Sequence, residues 1–200
     1  MARFKLFTII LIIACSQSAF AHGLQTGDVL LQPLDCWSCS LIEAQEESIY
    51  SHIGVYLNID GEDYVVEAYG SVRLVTLNEF MHKTQKNSSV RVKRYVNSNS
   101  IEKETFKKVL LSFVGLPYDR YFLWNNSIDG KEAIYCSELV YKTYIYFAQF
   151  SDLSTKVMKF DVNPLLWDRY FRDQTPRGKL GISPADFDTS KDFITMSEIF

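Results

Sequence analysis

Hydrophobic and polar positions along the chain change period, and each change marks an element. Gly27-Asp28 is followed by Val29-Leu30-Leu31-Gln32, a short apolar run after a turn signal, which predicts a buried strand. Cys39 to Ser48 has helical spacing over a short length and predicts a brief helix or helical loop. From Ser51 to Leu77, three β-rich runs flank two turn signals, Asp60-Gly61 and Tyr69-Gly70-Ser71, and predict an antiparallel meander. Leu77 to Thr84 reads as one helical segment, and Ser89 to Val96 alternates as a further strand.

After Ser100, which opens the next segment, Ile101, Phe106, Val109, Leu110 and Phe113 recur at helical spacing until Gly115 and Pro117 stop the helix. Tyr135 to Phe150 is apolar on most faces and predicts the central buried helix. Beyond Phe150 the signals are short pieces around Asn163-Pro164, Thr175-Pro176 and Ser183-Pro184, expected to wrap the core. Strands come first and helices after them, an α+β order.

The N-terminus breaks this pattern. Arg3 and Lys5 precede an unbroken apolar run from Leu6 to Ala14, then come Ser16-Gln17-Ser18 and Ala19-Phe20-Ala21. This is the form of a secretory signal, residues 1–21, cut after Ala21. The apolar run falls short of the ~20 residues a membrane span requires. Ile12-Ile13-Ala14-Cys15 also forms a loose lipoprotein box, which would leave a lipidated Cys15; the better-formed small-x-small site favours soluble export to the periplasm or beyond. Cleavage leaves 179 of the 200 residues, 22–200, enough for one domain with its own core. Loss of Arg3 and Lys5 moves the net charge from -3 to -5, and nothing in that balance points to nucleic acid. No further run could form a stable membrane span, and no linker composition divides the chain.

Export changes how the cysteines are weighed. Cys36-Trp37-Ser38-Cys39 could be a redox couple, half of a zinc site or an ordinary disulfide. In an oxidising compartment close cysteines pair, so Cys36 and Cys39 are expected to bridge and to leave Cys136 as the unpaired thiol of the mature chain. Cys136 follows a loop and starts the most apolar helix, where the helix dipole and free N–H groups favour a thiolate. Core packing explains the same position equally well.

His52 shares a strand face with Gly54 and Tyr56, opposite Ile53, Val55 and Leu57. Glu67 closes the apolar run Val65-Val66 on the adjacent strand, and a buried carboxylate there needs a partner. In a tight meander the two can face each other across neighbouring strands. Cys136, His52 and Glu67 would then supply a nucleophile, a proton shuttle and an orienting carboxylate. Other candidates carry less: His22 would be the first mature residue, His82 sits beside Lys83 in a polar stretch, and Glu138 lies two positions from Cys136, a spacing that does not face it on a helix. No phosphate loop and no histidine pair with metal-ligand spacing occurs, so neither cofactor nor metal is expected.

Gly115-Leu116-Pro117-Tyr118 and Cys136-Ser137-Glu138-Leu139-Val140 together resemble the Gly-x-Pro-Tyr and Cys-Ser-x-Leu-Val signature of the NlpC-type papain-like cysteine peptidases. The histidine strand precedes the cysteine helix here, as in the circularly permuted, YiiX-like branch. That branch also has the Gly27-Asp28, Glu67-Ala68-Tyr69-Gly70 and Ser183-Pro184 patterns, so the resemblance covers nearly all of the mature chain. It implies a single papain-like domain with an antiparallel sheet packed on a central cysteine-bearing helix. It implies Cys136 as nucleophile, His52 as general base and acid, Glu67 as the orienting member and Tyr118 as an oxyanion-binding neighbour. A buried aromatic with a satisfied hydroxyl is the other reading of Tyr118.

The activity so implied is hydrolysis of an amide in a peptide or lipid-linked cell-envelope substrate, with acyl groups of lipids, as ester or amide, as the alternative. Two readings from other classes stay open: a thiol-disulfide oxidoreductase centred on Cys36 and Cys39, and a non-catalytic binding module that keeps the fold. The short helix after the pair and the antiparallel meander count against the first.

Overall fold

The computed structural model describes residues 23–200. The leader expected over residues 1–21, with Cys15, and the terminal His22 lie outside the described residues. In chain order the elements are β1 (Val29–Gln32), α1 (Trp37–Glu46), β2 (His52–Ile59), β3 (Glu62–Tyr69), β4 (Ser71–Thr76), α2 (Leu77–Met81), β5 (Val90–Tyr95) and α3 (Lys103–Ser112). They continue as β6 (Asn126–Ile128), β7 (Lys131–Ala133), α4 (Cys136–Tyr144), β8 (Lys156–Val157), α5 (Pro164–Phe171), β9 (Leu180–Gly181), α6 (Pro184–Thr189) and β10 (Phe193–Ile199).

Six strands form one sheet in the order β10-β5-β1-β2-β3-β4, every neighbouring pair antiparallel. The meander turns where the sequence says it should, because Gly61 and Gly70 take the positive φ of 88° and 74° that their turns require. β1 lies between β2 and β5 and is buried on both faces, which accounts for its unbroken apolar run.

Strand alternation gives the sheet two apolar faces. Val29, Leu31, Ile53, Val55 and Val66 meet Leu139 and Val140 of α4 on one. Leu30, Tyr56, Val65 and Val75 meet Phe80 of α2 on the other. The far end of α4 is tied to the sheet by Tyr144, whose hydroxyl donates to the carbonyl of Gly27. The neighbouring Asp28 is buried and accepts from Arg94 at 2.6 Å, so the Gly-Asp turn is a structural anchor.

Several boundaries differ from the sequence expectation. α3 is capped by Glu102, whose carboxylate accepts from the backbone N–H of Glu104 and Thr105, while Ser100 closes a preceding 3-10 turn. α4 ends at Tyr144, short of Phe150, and Ile145 and Tyr146 face outward. The loop after Asp119 contains the hairpin β6–β7, turning at Asp129-Gly130. The C-terminal segment forms β10, an edge strand paired with β5 that no sequence signal singled out.

Candidate active site

β2 and β3 pair in a register that sets Gly54 opposite Glu67, so His52 and Glu67 are diagonal neighbours on one face. Glycine at 54 keeps that face open. A Cβ there would lie 2.6 Å from Val65 Cγ1 and 3.0 Å from Phe80 Cε2. Phe80 can therefore approach the sheet, and its ring packs 5.8 Å from the His52 imidazole, with Tyr69 edge-on at 6.0 Å. Gln32, the cross-strand partner of His52, holds the Phe80 turn by donating from Nε2 to Phe80 O at 2.7 Å and Thr84 Oγ1 at 2.8 Å.

His52 is buried, and its Nε2 lies 2.7 Å from Glu67 Oε2. That leaves Nδ1 free to face the Cys136 thiol, the other group that acts on the ring. Burial pushes the imidazole toward neutrality, but the neighbouring Cys136 and its bond to Glu67 prevail and raise its pKa to about 9.

Glu67 is wholly buried and fully engaged. Its Oε1 accepts from Arg73 Nε at 3.0 Å and Nη2 at 2.7 Å, and from Lys83 Nζ. Burial alone would raise its pKa; the contacts with His52 and Lys83 overcome that and lower it to about 2. Arg73 was legible in principle, because the Gly70 turn pairs Tyr69 with Ser71 and so sets Arg73 opposite Glu67. Lys83 was not, because it arrives from the turn after α2, across the sheet edge.

Cys136 is the first residue of α4, buried and unbridged. The residue before it, Tyr135, has an extended backbone and makes no side-chain cap. The first-turn N–H groups of α4 thus receive nothing from Tyr135, whose hydroxyl instead accepts from Ile182 N at 3.1 Å. Tyr118 sits beside Cys136, with its backbone bridged to Ile134. Burial, with the charge of Cys136, holds its pKa well above the ordinary phenol value, so it stays a neutral donor, and its hydroxyl has no hydrogen-bond partner among the described residues.

Cys136 opens onto a cleft of about 540 Å³. Ile42, Phe122, Met158, Phe160, Trp167 and Ile182 give it apolar walls. Its polar side is a knot in which Glu46 Oε2 accepts from Lys156 Nζ at 2.5 Å and from Ser183 Oγ at 2.7 Å. Ser183 and Asp186 form the capping box of α6, which gives the Ser183-Pro184 motif its place at the cleft.

Cys36 and Cys39 form a disulfide at the start of α1, and neither lines the cleft. The strand before α1 and the strand after it run antiparallel, unlike the parallel crossover of a thioredoxin unit. His82 is exposed and its Nδ1 pairs with Asn78 O at 2.9 Å. Glu138 turns away from the thiol to Lys142, 2.8 Å distant. Among the described residues, no group of three or more His, Cys, Asp and Glu side chains could hold a metal ion. None of the described helices is long and apolar enough to cross a membrane.

Comparison with known proteins agrees with this arrangement. The crystal structure of the metalloprotein YiiX from Escherichia coli O157:H7 superposes with a TM-score of 0.76 at 22% identity, covering 88% of this chain and 98% of that one, a likeness of fold. The uncharacterized protein YiiX of Escherichia coli strain K12 is 31% identical over 137 residues, 68% of this chain and 65% of that protein's length. Residues 23–193 match the model described as permuted papain-like amidase enzyme, YaeF/YiiX, C92 family. That match spans most of the chain, and the chain belongs to this permuted papain-like amidase family.

Proposed function

We propose that the protein is an exported thiol hydrolase that cleaves an amide bond in a peptide or lipid-linked component of the cell envelope, through Cys136, His52 and Glu67. The observation that carries this reading is the position of His52, its Nε2 2.7 Å from a buried carboxylate and its charge favoured by the nearby Cys136 thiol. Export rests on the N-terminal sequence, residues 1–21.

In the proposed reaction, His52 carries the thiol proton and Cys136 Sγ attacks the carbonyl carbon. The oxyanion is met by first-turn N–H groups of α4 and by the Tyr118 hydroxyl. His52 then gives the proton to the leaving amine as the C–N bond breaks. Water, deprotonated by His52, releases the acyl group from the sulfur. Glu67 keeps the ring's Nδ1 directed at sulfur throughout.

A second reading, hydrolysis or transfer of lipid acyl groups held as ester or amide, is favoured by the apolar walls of the cleft. One screen separates the two. Purified protein is offered muropeptides, lipid amides and lipid esters, with Cys136→Ala as blank. Release of amine from the amides of one class, or of alcohol from the esters if the second reading holds, lost in Cys136→Ala at nearly unchanged melting temperature, is the expected result; turnover that survives in Cys136→Ala would overturn the scheme.

A further inference from the structure

One wall of the cleft is built by a segment with a surface unlike the rest of the molecule. It comprises β8, α5, β9 and their connections, residues 156–182. Val157 and Leu180 are cross-strand partners in β8 and β9 and are 56% and 50% exposed. Leu165, in the first turn of α5, is 82% exposed, and Leu166 and Val162 beside it are also solvent-facing. Arg177 ties the two parts together, donating to Phe160 O at 3.3 Å and Pro164 O at 3.2 Å. Exposed leucines and valines gathered in this way mark an interaction surface.

Charge says what kind. The segment holds six basic residues and three acidic ones, in a chain whose formal net charge is -3. Lys159, Arg169, Arg172 and Lys179 are exposed and join no ion pair among the described residues. A surface of protruding aliphatic side chains with free cations fits the interface of an anionic bilayer, where the aliphatic groups enter the acyl boundary and the cations meet lipid phosphates. Val157 and Val162 belong both to this surface and to the cleft lining, so the cleft opens at its edge.

We infer that residues 156–182 dock the protein on an anionic lipid surface and bring the mouth of the cleft to it. The inference rests on shape, exposure and charge and is independent of the chemistry at Cys136, so Cys136→Ala should bind lipid as the parent chain does.

The test is co-sedimentation with vesicles of phosphatidylglycerol and phosphatidylethanolamine, against vesicles of phosphatidylcholine. Every chain compared carries the same N-terminus, so differences report on the segment alone. Expected are preference for the anionic vesicles, weakened by added salt, and affinity about tenfold lower in both Leu165→Ser/Leu180→Ser and Arg169→Gln/Lys179→Gln. None of these four residues lines the cleft, and the melting temperature and turnover of a small soluble substrate should be unchanged. Failure to bind anionic vesicles, or equal binding by both double variants, would overturn the inference. So would a dimer that forms without lipid and is broken by Leu165→Ser/Leu180→Ser, which would assign the surface to a second copy of this chain.

Discussion

His52 is held by two partners that both favour its charged form, and this fixes how the site should respond to pH. The imidazole, raised from 6.5 to about 9, contributes stability that is complete below its unfolded value and is lost as pH rises through about 9. Glu67, lowered from 4.5 to about 2, contributes stability that is complete above its unfolded value and is lost as pH falls toward about 2. The His52–Glu67 contact enters both shifts and counts once, beside the separate parts of Cys136 on His52 and of Lys83 on Glu67. The contact therefore supports the fold most fully between about pH 4.5 and 6.5. The imidazolium persists through neutral pH, so the alkaline limb of hydrolysis should fall near pH 9. Glu67→Gln removes the charge and should move that limb toward acid by about one unit or more, as read from the pH profile of kcat/KM. An unmoved limb would show that Glu67 does not set the protonation of His52. The pair itself was legible, because strand alternation and one turn suffice to bring 52 and 67 together. The two cations on Glu67 were half legible: Arg73 follows from register, whereas Lys83 depends on how α2 folds back.

At the scale of elements, the site is where three local choices meet: a strand that begins with histidine, a glycine two positions later, and a helix that begins with cysteine. Gly54 is demanding because the space of its side chain is already taken by Val65 and Phe80. Gly54→Ala forces a methyl group to within 2.6 Å of Val65 Cγ1, where it must displace either the strand or the Phe80 ring that steadies His52. The expected cost is about 1–3 kcal/mol of stability, measured by urea unfolding, with a fall in turnover larger than the loss of folded protein explains. Unchanged stability would mean that Phe80 has more freedom than its packing implies. α4 contributes in the opposite sense, by what its start omits. Without a capping side chain from Tyr135, its first-turn N–H groups are left open to an anion, as the proposed reaction requires. The cap of α3 eluded the sequence pattern because glutamate is an uncommon cap and serine a common one, yet Glu102 satisfies two N–H groups there.

At the scale of the whole molecule, the meander was legible because its strands alternate against two buried faces, whereas β10 was not, because an edge strand need not alternate cleanly. Ile194 and Met196 are about half exposed, Ile199 packs partly against the second face, and only Phe193 is fully buried. That one side chain nevertheless joins three parts of the fold. Its ring packs 5.7 Å from Tyr95 of β5, 5.1 Å from Tyr144 of α4 and 5.5 Å from Phe187 of α6. Tyr144 in turn holds the far end of the helix whose first residue is Cys136, through its bond to Gly27. Truncating Phe193 should therefore loosen the clamp on α4 without touching the thiol, the imidazole or the carboxylate. Phe193→Ala is expected to cost about 3–5 kcal/mol in urea unfolding, while the protein that remains folded keeps the alkaline limb near pH 9. A shift of that limb in Phe193→Ala would mean that the far end of α4 governs where Cys136 meets His52, and that the helix transmits strain along its whole length to the thiol.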